Sequence, residues 1–174
     1  MNSNLITIED LIRVLQLQPL PDEGGLFSQS YCSVESIPAD GLPPRYAGKP
    51  RPFGTAIYYL LTSAADSFSA LHRLLTDEVF HFYLGDPLEG LLLYPDGASR
   101  TVTLGQDILA GEQIQFVVPA GIWQGWRVKA GGKVALIGTT MAPGYTQADF
   151  ELGKREILTA QYPGSAKQIR RLTR

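Results

Sequence analysis

From Thr55 onward the chain is a succession of short segments rich in Val, Ile, Tyr, Phe and Thr, and this pattern constrains its fold most. Gly, Pro, Asp or Ser separates most of the eight segments, which are 55–61, 69–74, 78–84, 89–94, 100–104, 113–118, 124–128 and 133–140. β-branched and aromatic residues favour strands, and strands at this regular spacing are typical of a barrel or jelly roll. No long helical pattern interrupts them, which argues against a parallel α/β sheet. The sequence therefore predicts an all-β fold.

Shorter elements flank this series. Residues 26–34 form a further predicted strand, and residues 7–15 carry an apolar stripe behind Thr7, which can cap a short helix. A second helix is predicted over about 146–162, because Thr146 to Asp149 resembles a capping box. We therefore expect a single domain over residues 1–174, with a barrel core at about 26–140 and short flanking N- and C-terminal helices.

Residues 36–54 form a predicted loop containing five prolines and three glycines. A loop of this length fits either a lid over a pocket or an arm that contacts a partner. Its basic residues could hold an anionic ligand, and Arg51 is the best-placed contact because it leads into the strand at Thr55.

Composition excludes several classes of protein. With a net charge of −2, the chain has no basic excess to neutralise a phosphate backbone, so we expect no nucleic-acid partner. No apolar run approaches the roughly 20 residues that span a bilayer, and residues 1–5 do not begin a signal peptide, so no membrane association and a cytoplasmic location are expected. The basic tail from Lys167 to Arg174 is predicted to be a solvated terminus.

Residues 72–85 hold both histidines of the chain and an acid within a mostly apolar stretch. Alternate side chains of a strand share a face, so Glu78 and Phe80 should point one way and His81 the other. If Thr76 and Asp77 form a turn, His72 and Glu78 would face each other across a hairpin. His81 then fits a packing or interface role better than a catalytic one.

This window resembles the first motif of the cupins. His72, Glu78 and Gly85 match its spacing, while Leu74 occupies the second histidine position and Asp66 stands where the leading glycine would be. The stretch 119–124 resembles the second motif, Pro-x-Gly-x-x-His, except that Gln124 replaces the histidine.

A series of further motifs, in one order, is similar to one group of uncharacterised cupins, the domain of unknown function 985. They are Glu23-Gly24-Gly25, residues 55–61, His72-Arg73-Leu74, Asp77-Glu78, His81-Phe82-Tyr83, residues 85–88, residues 118–121, Trp123-Gln124 and residues 142–145. The resemblance spans roughly residues 8–163 and implies a double-stranded β-helix, that is, a small jelly-roll barrel. It also implies a homodimer, which would cover exposed strand edges, and no settled activity. Pro21-Asp22 departs from the group, which tends to show His-Pro there.

Three chemistries remain open at the predicted site. A divalent metal would have to use His72, Glu78 and Gln124, a set short of good ligands, so no cofactor is required and at most a weak metal is expected. Without metal, His72 and Glu78 could act as a catalytic acid–base pair; by analogy with sugar-nucleotide epimerases, Tyr58 or Tyr59 would assist. The third alternative is a barrel that binds or supports without catalysis, as a dimeric interaction protein.

The core hypothesis is that the barrel binds a small polar or sugar-like molecule, with isomerase or epimerase activity as an extension. The predicted ligand-binding residues are His72, Glu78, Phe80, Gln124, Trp126, Tyr58 and Arg51.

Overall fold

The computed structural model describes residues 6–174. The α-helices in this range are α1 (Ile8–Leu15), α2 (Arg155–Gln161) and α3 (Ala166–Arg171). The strands are β1 (Gln18–Pro19), β2 (Leu26–Cys32), β3 (Ser36–Ile37), β4 (Arg51–Pro52), β5 (Thr55–Thr62), β6 (Ser69–Arg73), β7 (Glu78–Gly85), β8 (Leu88–Leu93), β9 (Ser99–Leu104), β10 (Gln115–Val118), β11 (Trp123–Val128), β12 (Val134–Met141) and β13 (Glu151–Leu152). In that range, no helix is both long enough and apolar enough to cross a membrane.

Two antiparallel sheets form the body of the fold. The first has six strands in the order β1-β2-β5-β12-β7-β10, and the second has five in the order β13-β6-β11-β8-β9. From β5 to β8 each successive strand lies in the other large sheet, as in a jelly roll. The predicted all-β fold is confirmed, and each predicted segment is a strand whose ends differ from the prediction by at most two residues.

The predicted hairpin between His72 and Glu78 is wrong. β6 pairs with β11 and β13, whereas β7 pairs with β12 and β10, so residues 74–77 cross from one sheet to the other. Tyr46 and Thr76 share a hydrogen bond of 2.8 Å between their hydroxyls, and the Ala120 amide donates to Asp77 at 2.8 Å. These contacts hold the crossing segment against other loops instead of folding it back as a turn.

The main apolar core lies between the two sheets. Strand parity places alternate residues of each strand inside, and the largest of these side chains is Trp126, which is fully buried and packs on Phe80 with ring centroids 4.7 Å apart. Separate apolar clusters cover the outer faces. α1 lies over Leu60 and Leu136, and the C-terminal helices cover Leu71 and Leu93.

Helix α1 begins as the sequence predicts. The Thr7 hydroxyl accepts a hydrogen bond from the Asp10 amide, and the Asp10 carboxylate accepts one from the Thr7 amide. This reciprocal capping satisfies backbone donors that the first helical turn leaves free.

The predicted helix over 146–162 is only partly correct. Gln147–Asp149 makes a single 3-10 turn, β13 follows it, and the helix is limited to α2. The predicted cap does not form, since Thr146 makes no side-chain cap and the Asp149 carboxylate is bound by the Arg51 side chain. The basic tail also differs from the prediction, because it forms α3, which buries Ile169, with Leu172 buried just beyond it.

The 36–54 loop is fixed to the body of the protein. Tyr46 is fully buried, and Arg51 is 2% exposed. The Arg51 guanidinium donates to both oxygens of Asp149, at 2.8 and 2.5 Å. A buried bidentate pair of this kind ties the loop to the segment before β13.

Replacing Asp149 with Ala should leave the Arg51 guanidinium buried without its partner. Removing one member of a buried ion pair costs about 3–5 kcal/mol, so urea denaturation should show a loss of that size in unfolding free energy. Glu151→Ala is the matched control, because Glu151 and Arg73 pair at 2.7 Å while about half exposed, and exposed pairs contribute at most about 1 kcal/mol. Equal losses in the two variants would contradict the anchoring role.

Candidate functional site

A chain of hydrogen bonds crosses from one sheet to the other near the open end of the barrel. The Trp126 indole N–H donates to Gln124 Oε1 at 3.0 Å, and Gln124 Nε2 donates to Glu78 Oε2 at 2.6 Å. An indole N–H can only donate, so it fixes which end of the Gln124 amide faces Glu78. Because Gln124 and Trp126 belong to β11 and Glu78 to β7, this chain links the two sheets.

Glu78 is held as a buried carboxyl group. It is 7% exposed, and burial raises the pKa of the Glu78 carboxyl above its usual 4.5. A positive charge on His72 would lower that pKa, and the negative charge of Glu23 raises it, but burial is the largest effect. A carboxyl group in this state can donate or accept a proton closer to neutral pH than an exposed glutamate can.

His72 lies on the opposite sheet, directly across from Gln124 in the β6–β11 pairing. Its Nδ1 is 2.7 Å from the Ala70 carbonyl oxygen. Because a carbonyl only accepts, Nδ1 carries a proton, so the neutral form of the ring has its lone pair on Nε2. The His72 ring is 2% exposed and stacks on Phe150 at 5.3 Å.

Glu23 is a site residue that sequence reasoning missed. Its carboxylate accepts a hydrogen bond from the Ser69 hydroxyl at 2.8 Å and lies 4.0 Å from His72 Nδ1. The loop that carries it needs the glycine next to it, because Gly24 has φ +97° and a Cβ there would lie 2.6 Å from the Phe68 carbonyl oxygen. The available signal is the Glu23-Gly24-Gly25 motif, which contributes to the family resemblance without assigning a role to Glu23.

A cavity of about 980 Å³ opens at this end of the barrel. Its polar lining includes Glu78, Glu23, Asp22 and Tyr145, and Phe150 supplies an aromatic face. Consecutive residues of β2 and β5 line it, so the opening includes both faces of these strands.

The apolar part of this lining comes from several elements. It includes Val14, Leu15, Leu20, Phe27, Ile57, Leu74 and Met141. An apolar wall with a few polar groups is the usual composition of a ligand pocket.

The predicted site residues divide into two groups. Glu78 and Tyr58 line the cavity, but Tyr58 does so from the outer face of the sheet, where its ring packs edge-on against Tyr83. His72, Gln124, Phe80 and Trp126 lie in the interior beside the cavity without lining it. Phe80 and Trp126 fill space in the core and do not contact the cavity as predicted ligand-binding residues would.

The structure does not support Arg51 as a ligand contact. Its guanidinium is buried against Asp149 and the carbonyl oxygens of Lys49 and Pro50, and it does not line the cavity. Tyr59 is likewise unsuited to assist catalysis, since its hydroxyl donates to the Gly24 carbonyl at 2.8 Å.

His81 points away from this site, as strand parity predicts. On the outer face, its Nε2 lies 3.0 Å from the Thr140 hydroxyl and its Nδ1 lies 3.2 Å from Gln115 Nε2. Both ring nitrogens therefore have partners on neighbouring strands.

The residues at the cupin motif positions do not fit a metal ion. Leu74 has no donor atom, and the Gln124 oxygen already accepts from Trp126. Within residues 6–174, no group of three or more His, Cys, Asp or Glu side chains is arranged to bind a metal.

Comparisons with known proteins agree with this fold. Residues 9–153 match the family model described as Cupin superfamily (DUF985), and the chain belongs to this family. A protein from Shewanella oneidensis is 33% identical over 98% of this chain and 99% of its own, with a TM-score of 0.84. A hypothetical protein from Leishmania major is 31% identical over 96% and 98%, also with a TM-score of 0.84.

A more distant structure, a dTDP sugar isomerase from Desulfovibrio desulfuricans, is 18% identical over 74% of this chain and 83% of its own, with a TM-score of 0.50. A likeness at this level shows the shared fold alone. None of the curated proteins matches this chain.

Replacing Glu78 with Gln should change how stability depends on pH. Because the folded-state pKa of Glu78 lies above 4.5, the cost of burying its charge is absent below that pH and grows as pH rises through the folded-state pKa. The melting temperature of the variant minus that of the wild type should therefore increase from acidic to neutral pH. Each unit by which folding raises the pKa corresponds to about 1.4 kcal/mol of unfolding free energy.

Thermal unfolding over a pH series measures this difference. Glu156→Gln, at an exposed position on α2, controls for the loss of one carboxylate. A difference that falls with rising pH would contradict the raised pKa.

Phe150→Ala should expose His72. The chain has only two histidines, His72 and His81. Diethyl pyrocarbonate modifies unprotonated imidazole nitrogens, and peptide mass spectrometry distinguishes modification of His72 from modification of His81. We expect slow modification of His72 in the wild type and a clear acceleration in Phe150→Ala, with His81 unchanged. Phe53→Ala, at a half-exposed phenylalanine, is the control. Rapid modification of His72 in the wild type would show that Phe150 does not shield it.

Proposed function

We propose that this cupin binds a small polar, sugar-like molecule in the cavity at the open end of the barrel. The observation that carries the proposal is the buried Glu78 carboxyl, which lines a cavity of about 980 Å³. Small-molecule pockets typically measure about 300–1,000 Å³, and because this cavity extends to both faces of β2 and β5, part of its volume adjoins Glu78.

The polar groups are placed as recognition of hydroxyls requires. Gln124 orients the Glu78 carboxyl, and Ser69 orients that of Glu23. Carboxylate oxygens held in this way accept hydrogen bonds from a ligand without first reorganising, which lowers the entropic cost of binding. The Phe150 ring offers a flat apolar face for the C–H side of a sugar.

Isomerase or epimerase activity is a further step of this proposal. In its favour, the distant dTDP sugar isomerase shares the fold, and the neutral form of His72 has a lone pair on Nε2 that could accept a proton. Phe150 stacks on His72 and lines the cavity in its place, so catalysis by His72 would require Phe150 to move. We therefore propose binding as the primary function and catalysis as an extension of it.

The homodimer that the family resemblance implies remains a prediction.

A ligand screen by thermal shift tests the proposal. The panel would contain neutral monosaccharides, polyols, sugar phosphates, amino sugars and sugar acids, and at least one compound should raise the melting temperature of the wild type. Glu78→Gln should weaken binding of that compound about tenfold, since one hydrogen bond to a charged group contributes about 1.5–3 kcal/mol. Glu156→Gln should bind as the wild type does. A panel without any binder, or a binder indifferent to Glu78→Gln, would overturn the proposal.

A further inference from the structure

We infer that the ligand carries a positive charge, so that the cavity selects an amino-sugar-like or other amine-bearing polar molecule over neutral and anionic ones. This inference rests on the proposed function and specifies its substrate class.

The ionisable lining is uniformly acidic. Asp22, Glu23 and Glu78 line the cavity, and none of the lining residues in the described part of the chain is Lys, Arg or His. A cleft with one sign of charge and an apolar wall concentrates its field on the ligand. An anionic substrate such as a sugar phosphate would enter against that field.

Three arginines of the surrounding segments have partners other than the cavity's carboxylates. Arg51 is paired with Asp149, and Arg45 donates to the Leu75 carbonyl oxygen. Arg174 packs over the Phe68 ring, 4.7 Å from its centroid, and donates to the backbone carbonyl oxygen of Glu23 at 3.4 Å, not to its carboxylate. None of these guanidinium groups therefore lines the cavity as a partner for its carboxylates.

The acidic groups also act on one another. The charge of Glu23 raises the pKa of Glu78, and the charges of Glu23 and Glu78 add to burial in raising the pKa of the Tyr145 hydroxyl. Burial is the largest cause of both pKa shifts, and a positive charge on His72 would oppose the effect of Glu23 on Glu78.

Aromatic rings complete the environment for a cation. Phe27, Phe150 and Tyr145 line the same cavity as the carboxylates. Ring faces attract ammonium groups, most strongly where water is excluded. The combination of carboxylates and aromatic faces suits an amine attached to a sugar-like frame better than it suits a bare metal ion.

Three probes of nearly equal size separate the possibilities. Glucosamine, glucose and glucuronate share one ring and differ in charge, and calorimetry at a pH where the amine is protonated and the carboxylates are ionised gives their affinities. We expect glucosamine to bind about tenfold more tightly than glucose, the effect of one favourable charge contact, and glucuronate more weakly than either. The preference for glucosamine should shrink as salt is added, because salt screens charge.

Two variants locate the effect. Glu23→Gln removes a wall carboxylate, and Asp22→Asn does so at a residue with φ +61°, a conformation that asparagine tolerates well. Either change should reduce the preference for glucosamine over glucose, while Glu156→Gln should leave it intact. Unaltered melting temperatures would show that the variants fold.

The outcomes distinguish failure of this inference from failure of the proposed function on which it rests. If glucose or glucuronate binds as tightly as glucosamine and Glu78→Gln weakens that binding, the charge selectivity is overturned and the proposed function stands. If none of the three probes binds, the inference is overturned, and the wider panel alone decides the function. If the preference survives both Glu23→Gln and Asp22→Asn, the wall carboxylates are not its source and the inference is overturned.

Discussion

The hydrogen bonds from Trp126 through Gln124 to Glu78 join the two sheets where the barrel opens, and the candidate site depends on them. A carboxyl group placed between apolar sheets without partners would cost several kcal/mol. Gln124 offsets this cost by donating to Glu78, and Trp126 fixes the orientation of Gln124. These hydrogen bonds therefore allow the Glu78 carboxyl to remain at the edge of an otherwise apolar core.

Strand positions could be predicted from the sequence because they depend on local composition. Alternation within β7 correctly separated Glu78 from His81, and Thr7 correctly began α1. The path between β6 and β7 could not be predicted in the same way. The local residues are compatible with either a turn at Thr76 or a crossing between sheets, and the crossing segment is held by tertiary contacts such as that of Thr76 with Tyr46, thirty residues earlier.

The wrong predictions within the site also arise from contacts between residues that are far apart in the sequence. Arg51 and Asp149 are 98 residues apart, and their pairing affects two predictions. It removes a cation from the predicted pocket and an acid from the predicted helix cap. Phe150 covers His72 because β13 pairs with β6, which no short motif records. Glu23 could have been suspected, since a carboxylate beside two glycines is held in an unusual loop. Its proximity to His72 depends on the tertiary fold.

The cupin motif positions show that a shared geometry does not ensure shared chemistry. Gln124 occupies the position of a histidine in the second motif, but it orients Glu78 and has no free oxygen for a metal. The acidic groups of the cavity come from the loop at residues 22–23 as well as from the barrel. Net charge gives no indication of this, because at −2 the chain is nearly neutral. What determines the potential in the cavity is which charges are already paired. The guanidinium groups of Arg51, Arg45 and Arg174 are engaged with other groups, whereas the carboxylates of Asp22, Glu23 and Glu78 border the opening.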